Sequence, residues 1–300
     1  YPHSTPPAQG GQSGIATGDK PPQYSVWGQM LFAGGEQGFR KGEAGYDSES
    51  VGLIVGVDNN TLIDNTVIGA SFSYVVSDTD SKSANRTNTE TDNYQISLYG
   101  GYSLDERTVL SGTVSYGLND IESARFNVGG VAGQTAFSEY NAHQFAASVD
   151  LARQYQYKGA VLTPNVSAGW STYRPEAYTE TGTAGGLAQS IDSESSEAFE
   201  LGVGMIAQWA HRLDNGGIIL PTAGVNYSYD LIGEETSTLT QFNAGGPTFT
   251  TEGAKPAQAS YGANLGMTYL YSDHLEFSVG YGYTGRSEFD SHTGTAKIRY

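Results

Sequence analysis

The sequence predicts an all-β fold, a 12-stranded antiparallel transmembrane β-barrel. Three observations predict it. Apolar residues recur at alternate positions over runs of about 9–11 residues, the length a tilted strand needs to cross a bilayer. The intervening positions hold mostly Gly, Ser, Thr and Asn, and aromatics gather at the run ends, as at the interfaces of a membrane barrel. The connections alternate between short and long.

The clearest stretch is Ala257 to Tyr283. Tyr261, Ala263, Leu265, Met267, Tyr269 and Tyr271 share one face; Gly262, Asn264, Gly266 and Thr268 share the other. After Ser272-Asp273-His274 the alternation resumes, with Leu275, Phe277, Val279, Tyr281 and Tyr283 opposite Glu276, Ser278, Gly280 and Gly282. A period of two interrupted by a tight polar turn reads as an antiparallel hairpin.

The rest of the chain repeats this pattern. Residues 1–24, with paired prolines and glycines, read as an extended linker, and residues 25–300 as the barrel. The first strand, near Ser25–Gln37, carries Trp27, Met30, Leu31 and Phe32, and its facing is ambiguous. The second faces outward with Val51, Leu53, Val55 and Val57; the third with Ile68, Ala70, Phe72, Tyr74 and Val76. The polar segment 77–93 reads as a long loop. Tyr94, Ile96 and Leu98 mark the fourth strand and Leu110, Val114, Tyr116 and Leu118 the fifth, followed by a long loop to roughly Glu139. Phe145, Ala147, Val149 and Leu151 mark the sixth; Leu162, Pro164, Val166, Ala168 and Trp170 the seventh. Pro164 has no N–H to give a ladder, so a bulge is expected there. After a loop over 175–194 the eighth runs from Phe199 to Trp209. The ninth, Ile219 to Tyr229, leads into a fourth loop over 231–256. The hairpin supplies strands ten and eleven. The twelfth, near Ser291–Tyr300, points Ala296, Ile298 and Tyr300 outward and Lys297 and Arg299 inward.

Twelve is an even number, as a closed single-chain bacterial barrel requires, with short turns on the periplasmic side and longer loops outside. Hydrocarbon offers no partner to an open sheet edge, so closure is obligatory. The inward set is small and polar, with five charges expected to face the lumen: Asp150, Glu200, Glu276, Lys297 and Arg299.

Composition excludes several classes. No run of 18 apolar residues exists, so no transmembrane helix is expected. A net charge of −17 disfavours nucleic-acid binding, because phosphate recognition needs clustered cations. Without cysteine there is neither a disulfide scaffold nor a thiolate metal site. No cofactor is expected. The absence of a leader at Tyr1 suggests a processed or trimmed portion of a longer protein.

The chain resembles the β-domain, or translocator domain, of bacterial autotransporters (type V secretion). The resemblance rests on Val26-Trp27-Gly28-Gln29, the run Gly45–Asp58, and Leu162–Trp170 with Tyr178–Gly182 after it. Leu201–Gly204, Leu220-Pro221 and the C-terminal Ile298-Arg299-Tyr300 complete it. It implies an outer-membrane translocator and anchor that delivers an upstream passenger to the cell surface through its pore. Its implied partners are outer-membrane lipid and lipopolysaccharide, the barrel-insertion machinery and its own passenger, with a monomeric barrel. Ile298 and Tyr300 are similar to the terminal aromatic insertion signal, although Phe is usual at the last position. Residues 1–24 carry too much Pro and Gly for the pore helix that the family commonly threads. Asn59-Asn60 lies in a predicted turn, so the self-cleavage of some relatives is not carried over.

Other readings are weaker. Gly280–Gly285 matches G-x-G-x-x-G but opens no helix, as a dinucleotide site must. A hydrolase needs nucleophile, base and orienting group. His143 is the best base candidate, yet residue 145 is Phe where outer-membrane phospholipases resemble His-x-Ser, and no G-x-S-x-G exists. The acidic segments (Asp78, Asp80, Glu90, Asp92; Glu194, Glu197; Glu234, Glu235) read as solvated loops sooner than cation sites. The runner-up functions are a passive channel or a loop-mediated adhesin barrel, and then an outer-membrane hydrolase.

Overall fold

The computed structural model describes residues 24–40, 42, 44–233, 237–253, 256–272 and 275–300. Twelve long strands follow one another: β1 (Tyr24–Gln37), β2 (Tyr46–Asn59), β3 (Thr66–Ser81), β4 (Thr87–Ser103), β5 (Thr108–Phe126) and β6 (Thr135–Arg153). Then come β7 (Ala160–Pro175), β8 (Ser196–Trp209), β9 (Ile218–Asp230), β10 (Ala259–Ser272), β11 (Leu275–Arg286) and β12 (Phe289–Arg299). Each pairs antiparallel with its sequence neighbour, and β12 returns to β1, from Trp27↔Arg299 to Gln37↔Phe289. Val26 and Tyr300 complete the seam with reciprocal backbone bonds of 2.8 and 2.9 Å. The sheet thereby closes with no free edge, which satisfies the backbone where no water can. The linker expected over 1–24 and the turn residues Asp273 and His274 lie outside the described residues, Tyr24 excepted.

Two periodicities on one strand make the wall. Along β4, Ile96 and Leu98 are 59% and 62% exposed, whereas Gln95 and Ser97 between them are 9% and 8% exposed. The same alternation exposes Val51, Leu53, Val55 and Val57 on β2 and Tyr261, Leu265 and Met267 on β10. In water this surface would be a severe liability; in hydrocarbon it is the favourable contact. The facing of β1 is now definite. Val26, Met30 and Phe32 are exposed, while Ser25 and Gln29 are buried. The apolar band is rimmed by tyrosines: on β4, Tyr94 and Tyr102 stand at its two ends.

Three expectations change. Most of the polar segment 77–93 is strand, because β3 and β4 run on and pair as far as Asp80↔Asn88. Likewise β5 and β6 continue to Phe126↔Thr135. Outside the hydrocarbon neither face must be apolar, so the alternation vanishes although the ladder persists. The bulge expected at Pro164 is absent, since the β7–β8 register is continuous through Met205↔Pro164. The β6 ladder stops at Ala152↔Asn165, just short of the proline, so few ladder bonds need its missing N–H.

The turns over 60–65, 104–107, 154–159 and 210–217 share the end that holds both barrel termini. The longest connections, over 176–195 and 231–258, share the other. By the rule that periplasmic turns are short, that second end faces the exterior.

Candidate functional site

The bore follows from the small residues on the inner parity. Ser73, Ser97, Ser115 and Ser260 line it, with Gly204, Gly224 and Gly262 among them. At its periplasmic mouth the wall thickens. Trp27 lies across Gly56 and Tyr99 across Gly69; a Cβ on either glycine would collide with the ring. The Trp27 Nε1 donates to the Tyr99 hydroxyl at 2.8 Å, and that hydroxyl donates to Asp58 Oδ2 at 3.2 Å. Asp58, 7% exposed, also accepts from the Arg299 guanidinium. Lys297 Nζ sits 4.6 Å from the centre of the Trp27 ring, a cation–π contact. Glu276 is directly across the strand pair from Arg299. A charged, hydrogen-bonded half-collar thus lines the side of the inner entrance made by β11, β12 and β1 to β4.

The other predicted charges fall elsewhere on the same inner parity. Asp150 accepts from Asn165 Nδ2 at 2.7 Å, one strand over. Glu200 stands near the exterior mouth, 3.7 Å from Arg286. The bore therefore holds a periplasmic collar and a separate Glu200–Arg286 pair, not one constellation. Ile298 and Tyr300 face outward at the seam, 48% and 71% exposed.

The exterior mouth carries a feature the sequence did not suggest. The two longest connections fold together as a small sheet whose order is 249–252, 237–242, 189–193, 178–179. It is fastened to inner-face residues of the β5–β6 extension. Tyr178 stacks on Tyr140 with ring centres 4.1 Å apart, beside buried Ile121 and Ala142. Val128, Ala136, Ala184 and Ala188 form a second dry cluster. Between them, Glu180 accepts from Arg125 Nε and Nη2 at 3.0 and 2.5 Å and from the Gln189 N–H at 2.8 Å. Because the inner face supplies the partners, the connection turns in over the mouth as a flap. Of these residues, Asp58 was not among the lumen charges expected, although its place next to outward-facing Val57 carried the signal. Arg125 and Glu180 had no local signal, being 55 positions apart.

The remaining candidates do not converge. His143 Nδ1 is 2.8 Å from the Tyr116 hydroxyl and its Nε2 3.3 Å from Glu176, on the outer face, with no serine in the chain of contacts. Asp80 pairs with Arg86, and Asp92 accepts from the Tyr74 hydroxyl. Glu234 and Glu235 lie outside the described residues. Among the described residues no group of three acidic or histidine side chains is placed to hold a metal ion. Gly280–Gly285 stays within β11, with no helix after it.

A closed twelve-stranded barrel with an apolar exterior and a polar bore is a bacterial outer-membrane barrel, and here it is a translocator. The chain belongs to the autotransporter β-domain family, whose model matches residues 26–282. It is 26% identical over 286 residues to outer membrane protein B of Rickettsia typhi, covering 92% of this chain and 17% of that protein. It therefore spans about a sixth of the length of that relative. An extracellular serine protease of Serratia marcescens is 23% identical over 65% of this chain and 18% of its own length. The translocator domain of autotransporter NalP from Neisseria meningitidis has the same fold, with TM-score 0.72, 19% identity, and 93% and 88% of the two chains covered.

Proposed function

We propose that the barrel passes an upstream passenger through its bore to the cell surface and then anchors it there, with residues 1–24 as the tether and residues 25–300 as the pore. The observation that carries this reading is the inner wall of Ser and Gly, wide enough at twelve strands to exceed a side-chain-filled eight-strand barrel. Small hydroxyl and glycine walls offer a sliding chain few strong contacts. The barrel performs no catalysis of its own, and passenger folding outside supplies the direction. Asp150, Glu200, Glu276, Lys297 and Arg299 bind the polar backbone of the segment in transit or at rest. Ile298 and Tyr300 are the sequence read by the insertion machinery, and the inserted barrel acts as a monomer among lipid and lipopolysaccharide.

Neighbouring residues of opposite facing test this. With a stalled passenger in cells, a cysteine at Ser115 on the inner face is expected to cross-link to it, and one at Val114 on the outer face is not. Equal cross-linking at both positions, or at neither, would refute passage through the bore. Separately, Tyr300→Ala is expected to lower the amount of heat-modifiable barrel in the outer membrane several-fold without changing synthesis.

A further inference from the structure

The outer face of β4–β8 is not evenly filled. Two cross-strand rows meet there: Leu98, Val114, Ala147, Trp170 and Phe199, and beside it Gly100, Gly112, Val149, Ala168 and Leu201. The small members, Gly100, Gly112, Ala147 and Ala168, leave an open groove of about 460 Å³ between the large ones, lined mostly by apolar atoms. It opens into the part of the wall that meets hydrocarbon, so an acyl chain is what fills it.

The next rows toward the exterior change character. First come Tyr116, Phe145 and Thr172, one row inside that of the rim residue Tyr94. Thr172 is 6% exposed, and its hydroxyl has no hydrogen-bond partner among the described residues. The row above places His143 directly across from Arg174. Arg174 is exposed and makes no ion pair among the described residues, whereas most other arginines of the barrel hold a carboxylate. At about 3.4 Å per residue Arg174 lies about 13 Å further along β7 than Trp170, which at a strand tilt of about 35–45° is roughly 10 Å along the membrane normal and carries the guanidinium from the apolar band toward the headgroups. Glu176, held to His143, lies beside this cation. Hydroxyls next to a phosphate would suit that carboxylate, where a bare anion would not.

We propose that this face is a binding site for a phosphorylated glycolipid of the outer leaflet, of the lipopolysaccharide kind. One acyl chain lies in the groove of Gly112, Ala147 and Ala168. A phosphate meets Arg174, and sugar hydroxyls meet the Tyr116–His143–Glu176 group and Thr172. The site rests on placing the barrel in the outer membrane with the 176–195 end outside, and it takes no part in passage through the bore.

The test is lipid retention. The full chain is purified in detergent, incubated with bis-phosphorylated lipid A, exchanged into fresh detergent and weighed by native mass spectrometry. The wild type is expected to retain the lipid, and Arg174→Glu and Ala168→Phe each to lose at least tenfold in retention. Lipid A stripped of phosphate should be held by the wild type as weakly as the intact lipid is by Arg174→Glu. Variants are compared only where heat-modifiable migration shows a folded barrel, and Arg174→Gln replaces Arg174→Glu if the latter fails that check. Retention equal to wild type in both folded variants overturns the site, as does indifference to the phosphate. Passenger display should be unchanged in these variants, so failure of the lipid site and failure of the translocation reading are distinguishable.

Discussion

Single residues carry most of the risk at the periplasmic collar. Asp58 is a buried acceptor for both the Arg299 guanidinium and the Tyr99 hydroxyl. Asp58→Ala removes a buried acceptor from both donors, at a cost of about 1–3 kcal/mol. Urea titration of the barrel in micelles should show it, and an unchanged midpoint would mean water in the bore replaces the carboxylate at no cost. In the turn after β4, the Asp105 carboxylate accepts the backbone N–H groups of Arg107 and Thr108, both at 2.8 Å, and the Thr108 hydroxyl at 3.0 Å. Those donors favour the charged form and hold its pKa below the usual carboxylate value. A depressed folded pKa stabilises the turn above the unfolded value, and the contribution disappears as pH falls through the folded one. Acid should therefore increase hydrogen exchange at the Arg107 and Thr108 amides in the wild type and make no further difference in Asp105→Asn. Both residues have a sequence-level rationale, a carboxylate on the inner parity and an Asx-type turn. The partners of Asp58, 41 and 241 positions away, do not.

Among the elements, the extensions of β2–β6 beyond the membrane are unusual. The registers place Glu49 opposite Asp78, Asp78 opposite Glu90, Glu90 opposite Glu122, and Glu122 opposite Glu139. Five carboxylates lie in one row across five strands, all exposed. Like charges directly opposite destabilise a sheet, by several tenths of a kcal/mol a pair. Glu90→Lys replaces two such repulsions with two attractions, so it should stabilise the barrel by about 0.5–2 kcal/mol. The gain should shrink as salt rises, because the Debye length falls from about 30 Å at 0.01 M to about 3 Å at 1 M. A urea midpoint that Glu90→Lys leaves unmoved at low salt would mean the row is relaxed by bound counterions. The sequence shows these acids but spreads them over 77–93 and beyond. Only the register aligns them, because strand pairing persists where hydrophobic alternation has stopped reporting it.

For the whole molecule, the flap over the exterior mouth is expected to restrict the bore. Its fastening is the Arg125–Glu180 pair, in which the carboxylate side chain is only 7% exposed. Arg125→Ala strands that carboxylate with the Gln189 N–H as a remaining donor, a loss of about 3 kcal/mol for a broken, largely buried pair. Planar-bilayer recordings should then show larger or more frequent openings than in the wild type. Identical conductance would place the restriction deeper, at the collar around Trp27 and Tyr99.

The division between sequence and tertiary structure has a physical cause. A period of two, aromatic rims and small polar neighbours report directly on a wall between oil and water, since every side chain obeys its local solvent. That was enough to determine the twelve strands and the outward facing of most apolar positions. Which charge meets which is set by strand stagger and closure, and how far the strands overrun the membrane is set by backbone pairing. The inward turn of residues 176–195 comes from packing across distant strands. None of these leaves a period in the chain, so only the folded barrel could decide them.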